Sequence, residues 1–172
     1  MPTNDLNELI LAIQKKDMNA LEQLYITMKA SVYGLAYVYT GSHSDADDIV
    51  QNTFLHIWNR ADKYKEKSPR SWIMTIARNL SIDYIRASKR FTELNDDICA
   101  EDEYETIADS DLLDTLLKNL DESEREIVLL YSHGLSHAEI AKVVSRPYAT
   151  VRWKYSNAIK KLIKITGGGS ND

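Results

Sequence analysis

Apolar residues recur along this chain at intervals of three and four, the period of a helix with one buried face. Nowhere do they alternate as in a half-buried strand, which makes the expected fold all-α. Leu6, Leu9, Ile10 and Ile13 predict a short helix over Asp5–Gln14, broken by Lys15-Lys16-Asp17. A longer helix follows from Met18 to about Tyr39, with Leu21, Leu24, Tyr25, Met28, Val32, Leu35, Ala36 and Val38 as core candidates, and Gly41-Ser42 ends it. Ser44 is the expected cap of the next helix, where Asp45, Asp47 and Asp48 suit the positive end of the dipole and Ile49, Val50, Phe54, Ile57 and Trp58 form the apolar face. Ser68-Pro69 opens a fourth, with a stripe of Trp72, Ile73, Ile76, Ala77, Leu80, Tyr84 and Ile85. These four elements make a plausible four-helix domain over about 5–90.

The period then lapses. Phe91–Asp111 holds nine acids, no base and no regular apolar spacing, the composition of an extended linker. It resumes with Leu112, Leu113, Leu116, Leu117 and Leu120. Asp121 with Glu124, and Ser136 with Glu139, have capping-box spacing and start two further helices, the first stopped by Gly134. After the turn Ser145-Arg146-Pro147, a last helix runs from Tyr148 to about Ile165, with Val151, Ala158, Ile159 and Leu162 facing inward.

Charge changes the picture more than composition does. The net charge of −5 is the sum of four blocks: −4 over 1–59, +6 over 60–90, −13 over 91–139 and +6 over 140–172. Two basic blocks separated by an acidic one imply two nucleic-acid contacts on one chain, so an acidic whole does not exclude DNA binding. Between Arg60 and Arg90 the cations interleave with Tyr64 and Trp72, a combination that suits a strand with unstacked bases. The plainer reading makes Trp72 a core residue and the lysines a solvated face. Ser136–Lys161 has the form of a helix–turn–helix whose second member carries Arg146, Arg152, Lys154, Lys160, Lys161 and Lys164, no acid cancelling them. Its exposed N-terminal end, Tyr148, Ala149, Thr150, Arg152, Trp153 and Lys154, is the part that enters a major groove. A cationic helical hairpin without DNA is the competing reading.

The single Cys99 excludes an internal disulfide and fits a reducing compartment. His133 and His137 are spaced i, i+4, but Gly134 and Ser136 mark a turn, so no metal site is expected, and no cofactor. No phosphate loop, nucleophile elbow or zinc-binding helix motif occurs, and an enzyme is not expected. Without a signal pattern or an apolar run near the ~20 residues of a membrane span, the expected location is the cytoplasm, with no membrane insertion.

DADDIVQNTFLHIW, SW-I--IARN and the ID-IR ending at Lys89-Arg90 together resemble region 2 of bacterial RNA polymerase sigma factors, in the extracytoplasmic-function group of the sigma-70 family. NLDESEREIVLLYSHGLSHAEIAKVVSRPYATVRWKYSNAIKKL resembles sigma region 4. The resemblance implies region 2 over 1–90, an acidic linker over 91–110 and region 4 over 111–166. It implies a transcription initiation factor that binds core RNA polymerase (clamp and flap regions), recognises the −10 and −35 promoter elements and assists melting. A cognate anti-sigma factor is a further implied partner. Asp47, Asp48, Gln51, Asn52, Phe54 and Trp58 are then the polymerase-contact candidates. Lys63, Tyr64, Lys65, Arg70 and Trp72 are candidates for melted −10 DNA, with Tyr64, Lys63, Lys65 and Trp72 trapping an unstacked base. Arg78, Asn79, Asp83, Arg86 and Arg90 would act further upstream. Arg146, Tyr148, Ala149, Thr150, Arg152, Trp153 and Lys154 are the −35 candidates. Ala149 stands where the family usually has glycine and Asn157 where it usually has arginine, and Pro147 and Trp153 are unusual, so base preferences are not carried over. A stand-alone helix-turn-helix regulator, dimeric on duplex DNA, explains Ser136–Lys161 equally well but leaves the Asp45–Trp58 face and the basic-aromatic loop without a role.

Overall fold

Short polar side chains and left-handed residues mark many of the helix ends in this protein. The computed structural model describes residues 3–65, 68–94 and 118–167. They contain seven α-helices in two compact units: α1 (Thr3–Gln14), α2 (Met18–Thr40), α3 (His43–Arg60) and α4 (Pro69–Leu94) in the first, and α5 (Glu122–Ser132), α6 (His137–Val143) and α7 (Tyr148–Gly167) in the second. Asp17 caps α2 by accepting from the backbone of Asn19 and Ala20. Gly41, at φ 66°, closes α2 through a backbone bond to Tyr37 of 2.8 Å. The reversal is so tight that Ser42, not Ser44, caps α3 by accepting from the Asp45 amide. The expected Ser44 cap is therefore corrected by two residues.

Ser68 does cap α4, accepting from the Ser71 amide, with Pro69 in the first turn as expected. That helix ends at Leu94, four residues beyond Arg90. Phe91–Leu94, expected as the start of the linker, is helical instead: it holds no Gly or Pro, and Thr92 bonds back to the Ser88 carbonyl. The rest of the acidic linker and the leucine stripe from Leu112 to Leu117 lie outside the described residues.

In the first unit α2 is central, packing on α1, α3 and α4. Leu6, Ile10 and Ile13 from α1, Leu24, Met28, Val32 and Leu35 from α2, Ile49 and Ile57 from α3, and Ile73 and Met74 from α4 are essentially inaccessible. The α4 stripe is centred slightly off the expected line, on Ile73, Met74, Ala77 and Ser81, leaving Trp72, Ile76, Leu80, Tyr84 and Ile85 half-buried. In the second unit both capping boxes form, at Asp121/Glu124 and Ser136/Glu139. Leu120, Ile127, Leu130, Leu135, Ile140, Val143, Val144, Val151 and Ala158 fill its core.

Gly41→Ala would place a Cβ on a left-handed residue, so the first unit should lose about 1–2 kcal/mol in urea denaturation.

Candidate nucleic-acid interfaces

The connection between α3 and α4 is fastened from beneath by α1. Ala61–Lys63 forms a single 3₁₀ turn, and Gln14 donates to the Ala61 carbonyl at 2.9 Å. Lys16, itself left-handed at φ 64°, donates to the Trp58 carbonyl at 3.0 Å and lies 4.9 Å from the Trp58 ring centre. Tyr64 turns inward. Its ring is 5% exposed and packs 5.2 Å from that of Trp72, and its hydroxyl donates to Asn7. Tyr64 was expected to stack on an unpaired base. It is instead the anchor of the loop, and with that side chain held inward its neighbours Lys63 and Lys65 are exposed. Trp72 stays half-buried beside it, and Arg70 is half-buried with its guanidinium 3.9 Å from the Met28 sulfur.

On α3 the expected contact face divides in two. Asp47, Asp48, Gln51 and Asn52 are exposed on one arc. Phe54 is not part of it: it is 5% exposed and meets the Tyr25 ring edge-on at 4.9 Å, so it is a core residue and not a surface contact. Trp58 is half-buried under Lys16. The arc also contains Leu55, 58% exposed, which is not among the expected contacts. Its i+4 spacing from Gln51 was the available signal.

Asp45 faces a different way. It accepts from the Tyr84 hydroxyl at 2.6 Å, which with burial and the charges of Asp45 and Asp48 pushes the Tyr84 phenol up to about 12. The pair borders a cleft of about 220 Å³ lined by Tyr39, Thr40, Ile85, Ser88 and Lys89. Nearby, Tyr33 is hydrogen-bonded to His43, and burial, then the Asp47 charge, raises its pKa. Further along α4, Asn79, Asp83, Arg86 and Arg90 are exposed on one side of the helix, spaced i, i+4, i+7 and i+11. Arg86 and Asp83 make a long exposed ion pair of 4.0 Å, while Arg78 is half-buried.

In the second unit α6, a turn with Ser145 at φ 53°, and α7 form the helix–turn–helix. Arg146, Tyr148, Ala149, Arg152 and Trp153 are exposed and Thr150 is partly so; Trp153 is 63% exposed, and Arg152 lies 5.9 Å from the Tyr148 ring centre. Not every cation is uncancelled, however. Lys154 Nζ is 3.4 Å from the Asp121 carboxylate and Lys161 Nζ is 2.7 Å from both oxygens of Glu124. Burial pushes the Asp121 carboxyl up, but the Glu124 amide and the ammoniums of Lys154 and Lys161 outweigh it and hold the group below its ordinary range. His137 stacks on Tyr131 and meets Tyr155 edge-on, both at 4.9 Å, inside an aromatic cluster that lies between α5, α6 and α7. Burial, then Tyr131, raises the Tyr155 phenol.

A phenol raised in the folded state contributes stability that is complete below pH 10 and is lost as pH climbs towards 12. Asp45→Asn should therefore bring the Tyr84 midpoint down towards 10 in ultraviolet titration and flatten that alkaline decline.

Two family models match this chain: Sigma-70 region 2 over residues 24–91 and Sigma-70 region 4 over 110–162. It is similar to the ECF RNA polymerase sigma factor SigK of Mycobacterium sp. (strain JLS), 25% identical over 96% of this chain and 92% of that protein. SigK of Mycolicibacterium vanbaalenii is 27% identical over 96% and 91%. Among solved structures, CnrH in complex with the cytosolic domain of CnrY superposes at a TM-score of 0.70, with 22% identity over 96% of this chain and 99% of that one. RpoE of Bartonella quintana, in complex with the anti-sigma factor NepR, gives 0.71, with 22% identity over 87% and 97%. The two models between them take in the four-helix unit from residue 24 on and the helix–turn–helix, and the chain belongs to the sigma-70 family, in its extracytoplasmic-function group of transcription initiation factors.

Proposed function

We propose that this protein directs core RNA polymerase to promoters through three surfaces with separate tasks. The observation that carries the reading is the outward display of cations on both units, at Lys63 and Lys65 in one and at Arg146, Arg152, Lys160 and Lys164 in the other, alongside matches to both sigma regions. Region 2 spans residues 1–90, an acidic linker 91–110, and region 4 111–166. The exposed arc of Asp47, Asp48, Gln51, Asn52 and Leu55 docks on the polymerase. Charged and amide groups ringing one apolar side chain suit a protein partner that must be released again.

Lys63 and Lys65 meet the phosphates of melted −10 DNA, and Trp72, seated on Tyr64, offers its accessible edge to a displaced base. Capturing such a base offsets an unstacking cost of roughly a few kcal/mol, and no covalent step is needed. Asn79, Arg86 and Arg90 follow the duplex upstream. In region 4, Tyr148, Ala149, Thr150, Arg152 and Trp153 face the major groove at the −35 element and Arg146 the backbone. Two contacts on one chain raise each other's effective concentration, so each can be weak alone. The family match over residues 24–91 favours this reading over a stand-alone dimeric regulator, which has no use for the first unit. The two similar solved structures are complexes with CnrY and with the anti-sigma factor NepR, which supports a cognate inhibitory partner here too. The site of action is the cytoplasm.

Run-off transcription with purified core polymerase on genomic fragments tests the whole reading. Discrete transcripts that depend on this chain are expected, and their absence together with no retention on immobilised core enzyme would end it. Leu55→Ser should weaken that retention while leaving the melting temperature within a degree or two. Lys63→Ala and Lys65→Ala should each lower the salt slope of promoter binding by about 1. Unchanged slopes in both would remove the phosphate role.

A further inference from the structure

The cations of α7 lie on two sides of the helix. Arg152, Lys160 and Lys164 are exposed on the side of Trp153, and Lys161, although exposed too, points the other way. Lys154 and Lys161, seven residues apart, lie beside the buried line of Val151 and Ala158 and reach across to α5. Their partners are the two halves of one capping box. Asp121 accepts from the Glu124 amide at 2.7 Å, and Glu124 accepts from the Asp121 amide at 3.0 Å. Each carboxylate thus holds the first turn of α5 with one interaction and a lysine of α7 with another. The Glu124 side chain is only 4% exposed, and Lys161 sits 2.7 Å from both of its oxygens. Each pair joins a sheltered group to an accessible one: the Lys154 side chain is 18% exposed against 54% for Asp121, and Lys161 is 47% exposed against the buried Glu124. Lys161 can leave Glu124 only by stranding a buried charge, so it is poorly placed to exchange that carboxylate for a phosphate, while Lys154 is held by its own burial beside Asp121.

We propose that Lys154 and Lys161 are positioning residues that clamp the recognition helix to the cap of α5 and thereby set its angle of entry into the −35 major groove, while Arg152, Lys160 and Lys164 supply the phosphate contacts. This rests on the reading of the second unit as a −35 DNA-binding domain. The clamp makes the carboxylates, although negative, favourable to DNA binding, because without them α7 loses its fixed tilt. Bare electrostatics gives the opposite sign: removing an acid near a polyanion tightens binding.

The experiment uses the full chain with core polymerase and a short duplex recovered by that holoenzyme from sheared genomic DNA, with affinity measured across a salt series. Glu124→Gln keeps an acceptor for the Asp121 amide but removes the charge facing Lys161, and it should weaken binding severalfold. Lys161→Met should weaken it to a similar extent with the salt slope unchanged, Lys161→Arg should restore it, and the Glu124→Gln/Lys161→Met double variant should be no worse than either single. Lys160→Met is the contrast, lowering the slope by about 1. Lysine acetylation rates read by mass spectrometry give a second, fold-independent measure: Lys154 and Lys161 should react slowly with or without DNA, and Lys160 and Lys164 quickly until DNA covers them. Tighter binding by Glu124→Gln, or a slope lowered by Lys161→Met, would overturn the clamp. A wild-type holoenzyme that binds DNA with no contribution from residues 118–167, judged by cleavage protection at the −35 region, would overturn the underlying reading instead.

Discussion

A lysine ammonium already held by a partner within the protein is less available to a phosphate outside it, and this competition sorts the cations of both units. Lys161 and Lys154 are bound by the cap of α5, and Lys16 by the Trp58 carbonyl and ring. Among the described residues Lys63 pairs with the exposed Asp62 at 3.4 Å, and such solvated pairs contribute little and separate readily. The surface left to a polyanion is therefore smaller than the count of basic residues, and more sharply placed.

The same economy of side chains governs the loop between α3 and α4. A loop that is to display lysines outward needs something pointing inward to hold it, and Tyr64 has that task. Its ring lies against Trp72 and its hydroxyl reaches Asn7 on α1, while Gln14 and Lys16 fasten the turn before it. The region 2 match begins at residue 24, so these three fastenings, two from α1 and one from the turn after it, come from ahead of it. An aromatic below the surface also stiffens the one beside it: Trp72 is packed on one side by Tyr64 and half-buried overall. Helix α3 shows the same division, with Phe54 filling the core while Leu55, one residue on, stays in solvent.

Much of this was legible beforehand. Helix periodicity, the glycines and the two capping boxes gave an all-α chain with helix ends correct to within a few residues, because those signals act over one turn and need no distant partner. Where α4 stops was not legible, since an acidic stretch without Gly or Pro can prolong a helix as well as end it. The blocks of charge likewise pointed to nucleic acid twice over, since net charge is a property of the sequence and survives any folding.

What only the tertiary structure decided is which members of each block face out. Tyr64 and Phe54 have the composition of contact residues and the position of core residues, and Lys154 and Lys161 have the composition of phosphate binders and the position of a clamp. In each case the deciding partner is far away in the chain: Asn7 for Tyr64, Tyr25 for Phe54, Asp121 and Glu124 for the two lysines. The sequence by itself determined the helices, their caps and the alternation of charge, because these follow from neighbours within a turn or from simple summation. Burial and pairing come from contacts between helices, which is why they had to wait for the fold.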